Sequence, residues 1–83
     1  MNKEFYAIIG PDDEAGNQQY WDVSEWEWTP DFGRATRYHT GHVFFQPPPP
    51  GGVCIIKFSE EGRPLGQYDF GTPPSEGVSF GTL

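Results

Sequence analysis

Val53-Cys54-Ile55-Ile56-Lys57-Phe58, then Ser59-Glu60-Glu61-Gly62-Arg63-Pro64, then Leu65-Gly66-Gln67-Tyr68-Asp69-Phe70 is the stretch that decides the fold. An apolar run rich in β-branched residues, a polar turn with Gly62 at the left-handed position, and a return segment with spaced aromatics spell an antiparallel hairpin. Two-residue periodicity directs Cys54, Ile56 and Phe58 toward a core and Val53, Ile55 and Lys57 away from it. On the return strand it places Tyr68 and Phe70 on one face.

Outward from this hairpin, Gln46-Pro47-Pro48-Pro49-Pro50-Gly51-Gly52 interrupts all regular structure. Four prolines hold a polyproline II connector and two glycines release it. Tyr38 to Gln46 reads as extended, with Val43-Phe44-Phe45 as its apolar part. Before it, Thr29 serves as N-cap, Pro30 as first helical residue and Asp31 as a carboxylate at the positive end of the dipole, which predicts a short helix over 30–37. Gly33 limits it to a turn or two. Gln18 to Thr29 alternates, with Tyr20, Asp22, Ser24, Trp26 and Trp28 on one side and Gln19, Trp21, Val23, Glu25 and Glu27 on the other. Ser24 marks a bend, so the segment is two short strands or one long bent strand. Phe5 to Ile9 is a first strand closed by Gly10-Pro11, and Asp12 to Asn17 is a polar turn. Phe70-Gly71-Thr72 recurs as Phe80-Gly81-Thr82, two aromatic anchors in a loop-rich C-terminus, 71–83. The fold class is mainly β (α+β): a small twisted antiparallel sheet or partial barrel with one short helix.

Eighty-three residues make one compact domain, 1–83, too small for a deep cleft. Ordering them costs about 1.5 kcal/mol each. Seven Phe, four Tyr and three Trp offset that cost in place of scarce aliphatic residues, so the chain folds despite a mean hydropathy of -0.63. A lone cysteine forms no internal disulfide, and small domains of oxidising compartments are usually stapled by several. No apolar run reaches the roughly 20 residues of a membrane span, and no signal peptide precedes Phe5. These features point to the cytoplasm and exclude a membrane role.

Twelve acids against five bases give a net charge of -7. Direct nucleic-acid binding is disfavoured, because neutralising phosphates needs clustered Lys and Arg. Asp12, Asp13, Glu14, Asp22, Glu25, Glu27 and Asp31 fall in one stretch that has no base. They are the candidate partner-binding face. In Glu25-Trp26-Glu27-Trp28, alternation buries both indoles and displays both carboxylates in a row about 7 Å apart, near the phosphate spacing of a nucleic-acid strand.

Other candidates carry less. His39, His42 and Cys54 are three metal-ligand types, but a structural zinc site wants four ligands and no second cysteine exists. Cys54 sits mid-strand among apolar neighbours, where a thiol behaves as a small hydrophobe. The acidic pairs lie in turns that would leave their titration ordinary. Pro47 to Pro50 has the spacing read by SH3 and WW grooves, but fits a rigid connector better. No catalytic residue, metal or cofactor is assigned.

Phe5-Tyr6-Ala7-Ile8-Ile9, Tyr20-Trp21, Trp26, Trp28-Thr29-Pro30-Asp31-Phe32 and Ala35-Thr36-Arg37-Tyr38 together resemble a pattern in small uncharacterised bacteriophage and prophage proteins. Those have a short strand, Tyr-Trp, a further Trp, an acidic helix start and Ala-x-x-aromatic. The resemblance covers about residues 5 to 40. It departs at Gly41-His42-Val43-Phe44-Phe45 and the prolines, where a second helix belongs. It implies origin on a phage or mobile element and assigns no functional residue. The expected function is a non-enzymatic inhibitor that masks the basic surface of a host nucleic-acid-binding or defence protein, in the manner of an anti-CRISPR protein or DNA mimic. The alternative is an assembly accessory that self-associates through exposed aromatics or a sheet edge.

Overall fold

A computed structural model describes residues 3–72, and these form a five-stranded, open antiparallel sheet. The strands are β1 (Phe5–Ile9), β2 (Tyr20–Asp22), β3 (Glu27–Thr29), β4 (Cys54–Phe58) and β5 (Pro64–Tyr68), in the order β3-β2-β1-β4-β5. The mainly β reading therefore holds. Two single 3-10 turns, η1 (Phe32–Arg34) and η2 (Gly41–Phe44), complete it. No helix among the described residues is long and apolar enough to cross a membrane.

The central pairing is β1 with β4, in register from Phe5↔Phe58 through Ile8↔Ile55 to Ile9↔Cys54. Residues directly opposite in an antiparallel pair share a face, so this register sorts the side chains. One face carries Tyr6, Ile8, Trp21, Trp28, Ile55 and Tyr68, covered by Val43 and Phe44 of η2 and by Tyr38 and Phe70. The other carries Phe5, Ala7, Tyr20, Ile56 and Phe58, covered by Phe32 of η1. Phe32 lies 4.9 Å from Phe58 and 5.2 Å from Tyr20, centroid to centroid and edge-on, the arrangement favoured by ring quadrupoles.

Because both faces are covered, the expected one-sided pattern of the fourth strand is corrected. Cys54 and Phe58 are buried as expected, but Ile55, assigned to the outer side, has no exposure and Ile56 is only half-buried. A near-continuous apolar run such as Cys54-Ile55-Ile56 is the mark of a strand sandwiched on both sides, and a two-residue alternation misreads it.

The predicted helix over 30–37 contracts to the single turn Phe32–Arg34. Asp31, not Thr29, is its N-cap, accepting from the Gly33 N–H at 2.9 Å. Thr29 ends β3 and accepts instead from the Asp31 N–H at 3.1 Å. Ala35 returns to extended backbone, which lets the chain follow the sheet and bury Ala35. Tyr38–Gln46 is likewise not a strand: Tyr38 forms one isolated bridge with Tyr6, after which Thr40 caps η2. The reason is burial. An extended backbone would send Val43 and Phe44 to opposite sides, whereas a helical turn lays both on the same cluster.

The β4–β5 hairpin forms, with Gly62 at φ +92° in its turn and a bulge between Lys57 and Phe58, but its return strand is Pro64–Tyr68 rather than 65–70, and Phe70 packs on the same cluster as Tyr68 from beyond the strand end. The second Phe-Gly-Thr triplet, 80–82, lies outside the described residues.

Phe44 is fully buried and contacts Tyr6 and Tyr68 edge-on. Phe44→Ala should cost about 3–5 kcal/mol, against a total near 4–12 kcal/mol for a chain of this length at about 0.05–0.15 kcal/mol per residue. Urea unfolding followed by circular dichroism should find the midpoint well below that of the native chain, with the variant largely unfolded before urea is added only if the native stability lies at the low end of that range.

Candidate functional site

The seven acids of the predicted face divide into two groups. Asp22 is 4% exposed and serves the fold. One of its oxygens accepts from the Ser24 hydroxyl at 2.8 Å and the Ser24 N–H at 3.1 Å, and the other pairs with Arg34 at 3.0 Å. The Ser24 hydroxyl foremost, then the Glu25 N–H and the Arg34 guanidinium, hold its carboxyl below the usual aspartate value against opposing burial. Arg34 also pairs with Glu27 at 2.7 Å, and these two carboxylates, Glu27 first, fasten its proton more firmly. Asp13 ties the turn before β2, accepting from the N–H groups of Asn17 and Ala15 at 2.8 and 2.9 Å, which lowers its titration, Asn17 contributing most. Asp31 is the cap described above. Asp12, Glu14 and Glu25 are exposed.

The expected row of Glu25 and Glu27 over two buried indoles does not form. Asp22 pairs with Glu27 across the β2–β3 hairpin, so Val23, Ser24, Glu25 and Trp26 form its loop and strand alternation stops there. Trp26 stands at φ +54° with its side chain in solvent, 73% exposed. Trp28 shares its face with Trp21, its partner in the register.

That loop forms one wall of a groove of about 380 Å³. Trp21, Val23 and Trp26 line it from the hairpin, Tyr38 from the segment bridged to β1, and Gln46 with Pro47 to Pro50 from the connector. Among the described residues, no charged side chain lines it. The three indoles form a chain, Trp26 edge-on to Trp21 at 5.5 Å and Trp21 to Trp28 at 5.1 Å. Trp28 fixes the opposite wall, because its Nε1–H donates to the Pro50 carbonyl at 3.0 Å. Its ring occupies the space where Gly10 lacks a side chain: a Cβ there would stand 2.5 Å from the indole. Prolines read as a connector are thus also a surface, with Pro49 buried and Pro47, Pro48 and Pro50 exposed. Sequence reading missed the groove, although Asp22-Val23-Ser24-Glu25-Trp26-Glu27 contains a four-residue hairpin loop that could have signalled the exposed indole.

His39 lies with Nδ1 3.4 Å from the Glu4 carbonyl and its ring edge-on to Phe5. Cys54 is buried in β4, where burial first and Asp69 second push its thiol up, so it keeps its proton and is a poor nucleophile. Among the described residues, no group of three or more His, Cys, Asp and Glu side chains is arranged to hold a metal ion.

Two variants check these supports. Gly10→Ala should lose about 1–3 kcal/mol in urea unfolding as Trp28 is displaced, with a change in native tryptophan emission. Asp22→Asn should lower the thermal midpoint at pH 7. Since the folded Asp22 carboxyl titrates below the ordinary value of about 3.9, its contribution is present above that pH and lost as pH falls through the folded value. The gap between the two proteins should therefore narrow as pH falls below the ordinary aspartate value, and a gap unchanged in acid would contradict this role for the carboxylate.

Comparison with protein-family models, curated proteins and solved structures finds no match for this chain.

Proposed function

We propose that this chain is a non-enzymatic protein-binding module that docks on a basic surface of another protein. The observation that carries the reading is the division among its acids. Asp22 and Glu27 are paired with Arg34, whereas Asp12, Glu14 and Glu25 are exposed and form no ion pair among the described residues. With a net charge of -7, such a surface speeds encounter with a cationic partner and repels a second copy of itself, which weighs against self-association. A partner whose basic surface ordinarily faces nucleic acid meets the charge requirement. Masking that surface is the inhibitory role in which a phage-encoded anti-defence protein or DNA mimic would act. The reading needs no cofactor and no role for the buried Cys54.

The test is capture from a host lysate on the immobilised full-length chain at about 0.05 M and about 0.5 M salt, since screening of exposed charges tightens over that range. A cationic protein retained at low salt and released at high salt is expected. Asp12→Lys combined with Glu14→Lys and Glu25→Lys should abolish its retention without lowering the thermal midpoint. Retention of the same protein by this triple variant, or no basic protein at low salt, would refute the reading.

A further inference from the structure

Trp26 breaks two rules at once. It holds the last position of a four-residue hairpin loop at φ +54°, a left-handed backbone that glycine or asparagine adopts freely and that a bulky residue adopts under strain. Its indole is then left 73% exposed, although burial is what ordinarily compensates so large an apolar side chain. The core does not need it there, because Trp21 and Trp28 already fill this end of the sheet. A residue disfavoured by both its backbone and its solvation, set on the rim of an apolar groove, is placed for contact.

The groove itself states what could occupy it. One wall is aromatic and the other is made of prolines whose backbone is fixed by their rings and by the hydrogen bond from Trp28 to Pro50. Such a site is formed before a ligand arrives, so little ordering opposes binding. Ridged aromatic grooves of this kind accept polyproline II segments, which are themselves pre-ordered and present ring and aliphatic faces at a rise of about 3.1 Å per residue. The charge nearby sets the second requirement. Glu25 precedes Trp26 in the chain and forms no ion pair among the described residues, whereas Glu27, which follows it, is engaged by Arg34, so Glu25 is the carboxylate left open to a cation. An exposed indole next to such a carboxylate favours a guanidinium, which stacks on the ring while its N–H groups reach acidic oxygens. A second copy is a poor occupant: its run of four prolines stands in a stretch from Val43 to Val53 without a cation, its Arg63-Pro64 is tied into the β4–β5 hairpin, and it carries the same -7.

We propose that the groove between the β2–β3 hairpin and Pro47–Pro50 is the docking site for an extended, arginine- and proline-containing segment of a partner protein, anchored on the Trp26 indole. This rests on the binding-module reading and names the chemistry its partner presents. The surface acids bring the cationic partner in, and the groove fixes it.

The experiment uses the full-length chain on an array of immobilised peptides of about ten residues, long enough to cross the groove, that combine arginines and prolines. Matched peptides carry glutamate for arginine or alanine for proline. Binding is expected for the arginine- and proline-containing set and for neither control. Trp26→Gly should weaken binding about tenfold or more while its thermal midpoint stays the same or rises, because strain is relieved. Pro48→Lys, which removes a ring from the facing wall and places a cation there, should weaken binding without Trp26 being touched. Binding by none of the peptides, equal binding of the glutamate set, or full affinity in Trp26→Gly would each overturn the proposal. If Trp26→Gly still captures a basic protein in a salt-sensitive way from lysate, the groove assignment falls and the module reading stands. If the native chain captures none, the module reading itself falls.

Discussion

The structure depends on the pairing of β1 with β4. Ile8 and Ile55 face each other across it with no exposure at all, and Phe5, Ala7, Ile9, Cys54 and Phe58 are buried around them. A sheet whose two central strands are apolar on both sides needs two covers, and among the described residues no long helix supplies either. The covers are instead single turns and loops. On the other edge of β1, β2 pairs only at Ile9, and Tyr38 fills the remainder by exchanging hydrogen bonds of 2.7 and 2.9 Å with Tyr6. That exchange fixes where η2 begins, and therefore how Val43 and Phe44 reach Ile8 and Ile55. The far end of the cover is held by the Gly71 N–H donating to the Phe44 carbonyl at 2.8 Å.

The groove is a consequence of this economy. β2 and β3 are each three residues long, too short to carry a cover of their own, so the connector from Gln46 to Gly52 passes over them as it travels from η2 to β4. Its docking point is Trp28, and Trp28 can lie flat because residue 10 is glycine. The space between connector and hairpin loop is what remains unfilled. Trp21, shared between the core and the groove, makes the two inseparable: the same ring that packs against Ile8 and Ile55 backs the edge of Trp26.

How much of this was legible follows from which residues interact locally. Phe5–Ile9 and the hairpin around Gly62 were readable because apolar runs and turn residues there are contiguous in the chain. Ile55 was misassigned because alternation presumes one wet face, and whether the second face is wet depends on Val43 and Phe44, which are a dozen residues away. The same contacts override the extended reading of Tyr38–Gln46. Thr29 lost its capping role to Asp31 because β3 extends to Thr29 through pairing with Tyr20, a fact of the sheet and not of the Thr-Pro-Asp motif. Trp26 and Trp28 were read as equivalent since they lie two apart. A single left-handed residue between strand and loop separates their fates, and side-chain alternation carries no trace of it. The groove joins residues 21–26 to residues 46–50, so no local pattern could display it.

The acids show the same separation between what the fold uses and what it does not. Asp13, Asp22 and Asp31 each accept backbone hydrogen bonds that hold a turn, and Glu27 shares Arg34 with Asp22. Among the described residues, exposed carboxylates such as Asp12, Glu14 and Glu25 hold no such contact, and they add to a net charge that repels itself in the compact state. A sequence shaped for stability alone would have glycine or asparagine in place of Trp26 and bases mixed among those acids. Both departures fall on the β2–β3 hairpin and the turn leading into it, away from the β1–β4 pairing on which folding depends. Local rules are relaxed where the structure tolerates it, and the unfavourable residues that result share one chemistry, an exposed indole among carboxylates, that a cationic chain from outside would satisfy.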